Sequence, residues 1–280
     1  MLYLLLAIAS SAMVSICMRI SEKYARGNMV MFTANYAVCL AVSLLYTGGL
    51  GGRTFDSGMT WAAALGAVSG FMYLASFVLL QKNIRHNGVI LSGAAMKLGG
   101  VLVPVIAAVA VFHDTLGWVR LAGVAVSVAA VVLINVEKAS AGEGGKKYWL
   151  IILLLGSGLT DTMVNVYDKT GAAAFKNHYL LFTFLAAMVI SFTMALVKKE
   201  RAGLADILCG LMIGVPNYYS SRFLLLSLES VPAVIAYPVF SAGTIIVVSA
   251  TGVLLFREKL SRRKIWALLL ILAALALLNI

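Results

Sequence analysis

Apolar runs of roughly 20 residues follow one another along this chain, separated by short polar stretches. Each run is long enough to cross a bilayer as a helix. Ten spans are predicted: 2–18, 29–47, 59–81, 88–111, 119–136, 148–166, 178–197, 205–227, 232–256 and 264–280. Turn and breaker residues lie between them, as in "GGLGGR" (48–53) and "GEGG" (142–145). The expected fold is an all-α integral membrane protein, multi-pass in the cell (inner) membrane.

The chain also repeats. "FHDTLGWVRLAG" (112–123) aligns with "FREKLSRRKIWA" (256–267) at an offset of 144, and "VLINV" (132–136) with "ALLNI" (276–280) at the same offset. "SEKY" (21–24) aligns with "YDKT" (167–170) at an offset of 146. Two five-helix repeats are expected, 1–137 and 148–280, joined by a linker at 138–147. An odd number of spans per repeat inverts one relative to the other, which is the plan of many secondary transporters with a central site.

Composition agrees with the pattern: 62% of the residues are hydrophobic and 12% charged, where a soluble domain carries about 25% charged residues. The net charge of +11 reads as a topology signal rather than a nucleic-acid footprint. Loops after odd-numbered spans hold 16 Lys and Arg and those after even-numbered spans hold 4, with Lys97 and Arg222 inside spans. The positive-inside rule then puts the first set in the cytoplasm and both termini outside. Cys17, Cys39 and Cys209 are scattered in apolar runs, and His86, His113 and His178 sit in loops or at loop edges. No metal site, cofactor or disulfide framework is expected. The first run lacks a basic leader and a small-residue cleavage site, so it reads as a span rather than a signal peptide.

Several motifs resemble the drug/metabolite transporter superfamily. "MRISEKY" (18–24) ends the first span in that manner, "SVPAVIAYPVFSAG" (230–243) resembles its ninth helix, and "FREKLSRRKIWALLLILAALALLNI" its closing unit. Ten spans in two halves resemble the EamA-like branch. The resemblance implies a secondary transporter of small metabolites or drugs. Small multidrug resistance proteins, another branch, carry a cation-binding glutamate midway along the first helix. Aligning on "MRISE" puts Ser11 there, and the repeat puts Ser157 at its counterpart. Neither is charged, so that branch's cation-for-proton exchange does not carry over.

Polar residues inside the spans are the candidate substrate site, because an ionised group deep in a span costs about 2.5–3.5 kcal/mol on insertion scales. Lys97 lies about nine residues into its span, roughly 13 Å from the nearer end, beyond the reach of its own stem. Gly99 and Gly100 beside it would permit close packing or a kink. Arg222 belongs to "PNYYSSRFLLL" (216–226), where Asn217, Tyr218, Ser221 and Arg222 share a broad helix face. A guanidinium offers a planar fork for carboxylate or phosphate. Ser157, Asp161 and Asn165 recur at i, i+4 and i+8, with Ser11, Ser15 and Arg19 at the repeat-related positions. Asp161 is read as a partner to Lys97 or Arg222, or as a proton acceptor. Asn35 is the weakest candidate, since a lone Asn often only bonds across helices. Glu22 and Asp168 read as interfacial ion pairs or gates beside Lys23 and Lys169, and Asp114 and Glu258 as structural residues opening helices. The methionines and most aromatics read as packing or lipid-facing.

With two basic groups against one acid, the expected substrate is a small anionic or zwitterionic metabolite, moved by alternating access. A lysine that sheds its proton when unpartnered would couple this to protons. The alternatives are an exporter of drugs or amphipathic cations, and a subunit translocating a lipid-linked phosphate carrier. An enzyme is not expected, as no nucleophile–base pair appears. The expected partners are a small-molecule substrate and the bilayer, with a homodimer allowed and no nucleic acid.

Overall fold

The computed structural model describes residues 1–21, 24–25, 27–47, 56–113, 117–135, 147–256, 265–266, 269–270, 273–274 and 277. Its main elements are α1 (Leu2–Ser21), α2 (Asn28–Thr47), α3 (Ser57–Ala110), α4 (Trp118–Asn135), α5 (Lys147–Thr170), α6 (Lys176–Val197), α7 (Leu204–Ser227) and α8 (Ala233–Phe256). A short 3-10 turn at Ala173–Phe175 precedes α6. The described residues between 265 and 277 are helical. Helices satisfy every backbone donor within the segment, which hydrocarbon demands. Large apolar side chains such as Leu45, Val197 and Leu254 point outward, each more than three-quarters exposed, as a lipid-facing surface requires. Among the described residues, four stretches are long and apolar enough to cross a membrane: Asn28–Thr47, Ser57–Leu80, Tyr148–Thr170 and Ala173–Val197.

One expectation needs correction. A loop was expected at 82–87, but the backbone stays helical through it. "QKNIRHN" contains no proline, and the first in this helix is Pro104. The Asn83 amide donates to Leu79 O at 3.0 Å and to Trp149 O at 2.9 Å, and Lys82 lies over the Trp149 ring at 3.7 Å. Yet α3 is not one straight rod. Ser76 Oγ is 2.8 Å from Thr160 Oγ1, and Ser157 Oγ donates to Met96 O at 3.1 Å. A straight helix would hold residues 76 and 96 about 30 Å apart. Both meet α5 within one turn, so α3 doubles back between Asn83 and Met96 and acts as two arms.

The chain divides into two compact units that interleave the sequence halves: 1–74 with 166–227, and 75–165 with 228–280. The linker 138–147 lies outside the described residues apart from Lys147.

In the first unit α2 packs on α6 and α7, and α1 on α7. Helix directions follow from the contacts. Thr33 meets Ser191 and Tyr36 meets Phe184, so α2 and α6 run antiparallel. Gly210 lies against Met31 and Ala34, and Tyr219 against Tyr46, so α2 and α7 run parallel. Gly210 and Gly214 permit this approach: a Cβ on Gly210 would stand 2.6 Å from Ala34 Cβ, and one on Gly214 2.8 Å from Asn35 O. "GLMIG" is thus a small-xxx-small packing motif. At one end, Asp206 accepts from Gly27 N at 3.0 Å and Glu200 from Met29 N at 2.9 Å. These bonds tie the α1–α2 turn to the α6–α7 turn and cap the start of α2.

In the second unit the second arm of α3 packs on α5, and α4 on α8. A Cβ on Gly99 would collide with the Leu154 carbonyl and Ser157 Oγ, so only glycine fits, in line with the close packing expected of it.

Candidate functional site

The candidate residues fall into two groups, one in each unit. In the first unit α7 supplies Asn217, Tyr218, Ser221 and Arg222, and α2 supplies Asn35. Asn217 Nδ2 donates to Asn35 Oδ1 at 3.2 Å and lies 3.8 Å from Cys39 Sγ. Cys39 Sγ donates to Gly214 O at 3.2 Å. The two asparagines therefore use their amides on each other, the cross-helix role that is the ordinary one for such residues.

Arg222 has different surroundings. Its Nη1 donates to Tyr218 Oη at 3.1 Å, and its guanidinium carbon lies 3.6 Å from the centre of the Tyr46 ring. Tyr46 stacks on Tyr218 with ring centres 5.9 Å apart, and its hydroxyl is 3.0 Å from that of Tyr219. The aromatic rings continue through Phe184, which touches Tyr36, Tyr73 and Tyr218. Tyr73 Oη in turn lies 3.0 Å from Ser221 Oγ. A half-buried cation over an aromatic face gains about 0.5–2 kcal/mol. Among the described residues Arg222 meets no carboxylate. The described acids of this unit sit at helix ends. Asp56 Oδ1 accepts from Met59 N at 2.8 Å, Asp168 pairs with Lys176 at 2.7 Å, and Glu200 and Asp206 accept the backbone donors named above. Lys176, eight residues on, is a partner for Asp168 that sequence spacing did not suggest. Glu22 and Lys23 lie outside the described residues.

Among the described residues of this unit, the Tyr36 and Ser43 hydroxyls are fully buried without a hydrogen-bond partner. Ser43 lies on α2 one turn before Tyr46, whose ring stacks on Tyr218. Ser11 is half-buried on α1, and its carbonyl accepts from Ser15 Oγ at 3.1 Å, so the Ser15 hydroxyl serves its own helix. The Arg19 side chain lies outside the described residues. Two grooves along α7 are apolar. One of about 310 Å³ runs beside Tyr24 and Met212, and one of about 280 Å³ beside Met13 and Phe223.

In the second unit the stripe Ser157, Asp161 and Asn165 lies on α5 as the spacing requires. Ser157 Oγ is 3.1 Å from both Met96 O and Leu154 O. A Cβ on Gly100 would stand 2.6 Å from Asp161 Oδ2, so the carboxylate lies on the bare helix surface that Gly100 provides. The main-chain oxygen of Asp161 accepts from Tyr237 Oη at 2.7 Å. Asn165 is fully buried and neither atom of its amide is hydrogen-bonded. Lys97 is on the same α3 arm, one turn before Gly100, and its side chain lies outside the described residues.

Sequence reasoning missed Tyr36, Ser43, Tyr46, Tyr73 and Phe184. Tyr36 and Ser43, seven residues apart and so on one face of α2, gave a usable signal. Tyr73 and Phe184 gave none, because an aromatic in an apolar span looks the same facing lipid or facing a neighbouring helix.

The sequence model of the Small Multidrug Resistance protein family matches residues 175–271, which include α6, α7 and α8. An uncharacterized protein of Haemophilus influenzae is 24% identical over 199 residues, covering 69% of this chain and 67% of that one. A solved structure, described only as the crystal structure of a protein, superposes with a TM-score of 0.74 at 10% identity, covering 99% of this chain and 98% of that chain. The last similarity is one of fold. The chain is therefore an all-helical membrane protein whose α6–α8 region is similar to a branch of the superfamily that its motifs resemble.

Proposed function

We propose that this protein is a secondary transporter of a small organic anion or zwitterion. It would work by alternating access on an EamA-like plan of ten helices in two inverted repeats. The observation that carries the reading is Arg222: a half-buried guanidinium held on Tyr46 and Tyr218, in a unit whose described carboxylates all sit at helix ends. A permanent cation in such a setting favours an anionic guest and repels a cationic one. Asp161, lying over Gly100 one turn from Lys97, is the proposed proton-coupling group. The α1–α2 and α6–α7 turns are bonded together and both carry basic residues, so that end of the unit is assigned to the cytoplasm.

The second reading is an exporter of drugs or amphipathic cations. The match to Small Multidrug Resistance proteins over residues 175–271 favours it. Proteoliposome flux separates the two. Organic anions, not organic cations, should move in the wild-type protein. Arg222→Gln should stop that movement, and Asp161→Asn should remove its dependence on a pH gradient. Transport of cations by wild type and Arg222→Gln alike would establish the exporter instead.

A further inference from the structure

The surroundings of Arg222 carry more chemical information than its charge. Three polar groups lie together in the first unit: the Arg222 guanidinium, the Tyr218 hydroxyl to which it donates, and the Ser43 hydroxyl, on α2 one turn before the Tyr46 ring that stacks on Tyr218. Ser43 is fully buried and makes no hydrogen bond. An unsatisfied buried hydroxyl is costly, and a native structure retains one where a ligand or water completes it. Among the described residues Arg222 uses one nitrogen on Tyr218 and its face on Tyr46, and the remaining donors of its planar fork meet no partner there.

The geometry points to a carboxylate-binding site formed by Arg222, Tyr218 and Ser43, specific for a monocarboxylate without an α-ammonium group. This rests on the anion reading above and narrows it. The fork matches the two oxygens of a carboxylate, and one guanidinium neutralises one negative charge. A phosphate monoester would bring close to two charges against that single cation, with the surplus left unpaired in a low-dielectric interior. An amino acid would bring an ammonium group, and the described acids of this unit are engaged at helix ends. Tyr219 and Phe223, next to Tyr46, present rings to an apolar or planar body.

Three probes that share a phenyl group test the head-group preference on the intact purified protein: phenylacetate, phenylalanine and phenyl phosphate. Binding is followed by titration calorimetry, and flux in proteoliposomes. Phenylacetate should bind at least about 10-fold more tightly than the other two. Arg222→Gln should weaken it by about 10-fold or more, as loss of a charge-assisted pair does. Ser43→Ala should weaken it about 5-fold while leaving the melting temperature of the unliganded protein unchanged or higher, since the substitution removes an unsatisfied hydroxyl. That combination separates a ligand role from a structural one. Tighter binding of phenylalanine or phenyl phosphate, lost in Arg222→Gln, would overturn the monocarboxylate assignment and leave the anion transporter standing. No Arg222-dependent binding or flux of any of the three would overturn both.

Discussion

The two units treat their buried charge in opposite ways. In the first, a cation sits among aromatic rings, and the described acids are pushed out to helix ends. In the second, the Asp161 carboxylate lies on a helix surface stripped of side chains at Gly100, on the arm that carries Lys97. An aromatic surround holds a guanidinium through its ring faces and leaves its fork open. In the transport mechanism proposed above, the first unit binds the substrate and the second exchanges protons.

The glycine surface can be broken first, with the largest effect. Gly99→Leu would drive a side chain into the Leu154 carbonyl, costing more than about 3 kcal/mol, above the usual range for overpacking because backbone cannot yield. Little folded protein should survive, as gel filtration and thermal melting will report. Asp161→Asn keeps the shape and removes the charge. Anion binding should remain within about 3-fold of wild type, since in this account the charge acts on coupling and not on affinity. Flux should lose its response to a pH gradient, and retention of that response would remove Asp161 from the coupling role.

Smaller effects sharpen the first unit. Glu200→Ala removes the cap on α2 and should cost about 1 kcal/mol without changing head-group preference, read from melting curves and probe competition. The Asn35–Asn217 pair should give the smallest number. A double-mutant cycle with alanine should show coupling of about 0.6 kcal/mol, typical of hydrogen bonds between membrane helices. A loss of anion binding in Asn35→Ala larger than its loss of stability would return that residue to the site.

Most of the helices were legible in the sequence because apolar runs of membrane length have few other uses. The loop expected at 82–87 is helical for a physical reason: "QKNIRHN" holds no proline or glycine to end a helix. The reversal survives, shown by Ser76 and Met96 both meeting α5. Arg222, Asp161 and the α5 stripe were legible because polar groups stand out against apolar neighbours. Asn35 and Asn217 stood out equally, and only their mutual bond separates packing from binding. Ser43 and Tyr46 were hidden, since hydroxyls and aromatics are common in spans and only the partner helix decides what they face. The division into units was hidden too, because "GLMIG" fixes a close approach without saying to which helix.

The central claim is that Arg222 binds the substrate's negative charge. The most direct test is the initial rate of labelled phenylacetate counterflow in proteoliposomes, comparing wild type, Arg222→Lys and Arg222→Gln. The account predicts substantial loss in Arg222→Lys, which keeps the charge but not the fork, and a rate at the protein-free background in Arg222→Gln. Equal rates in all three proteins would contradict it.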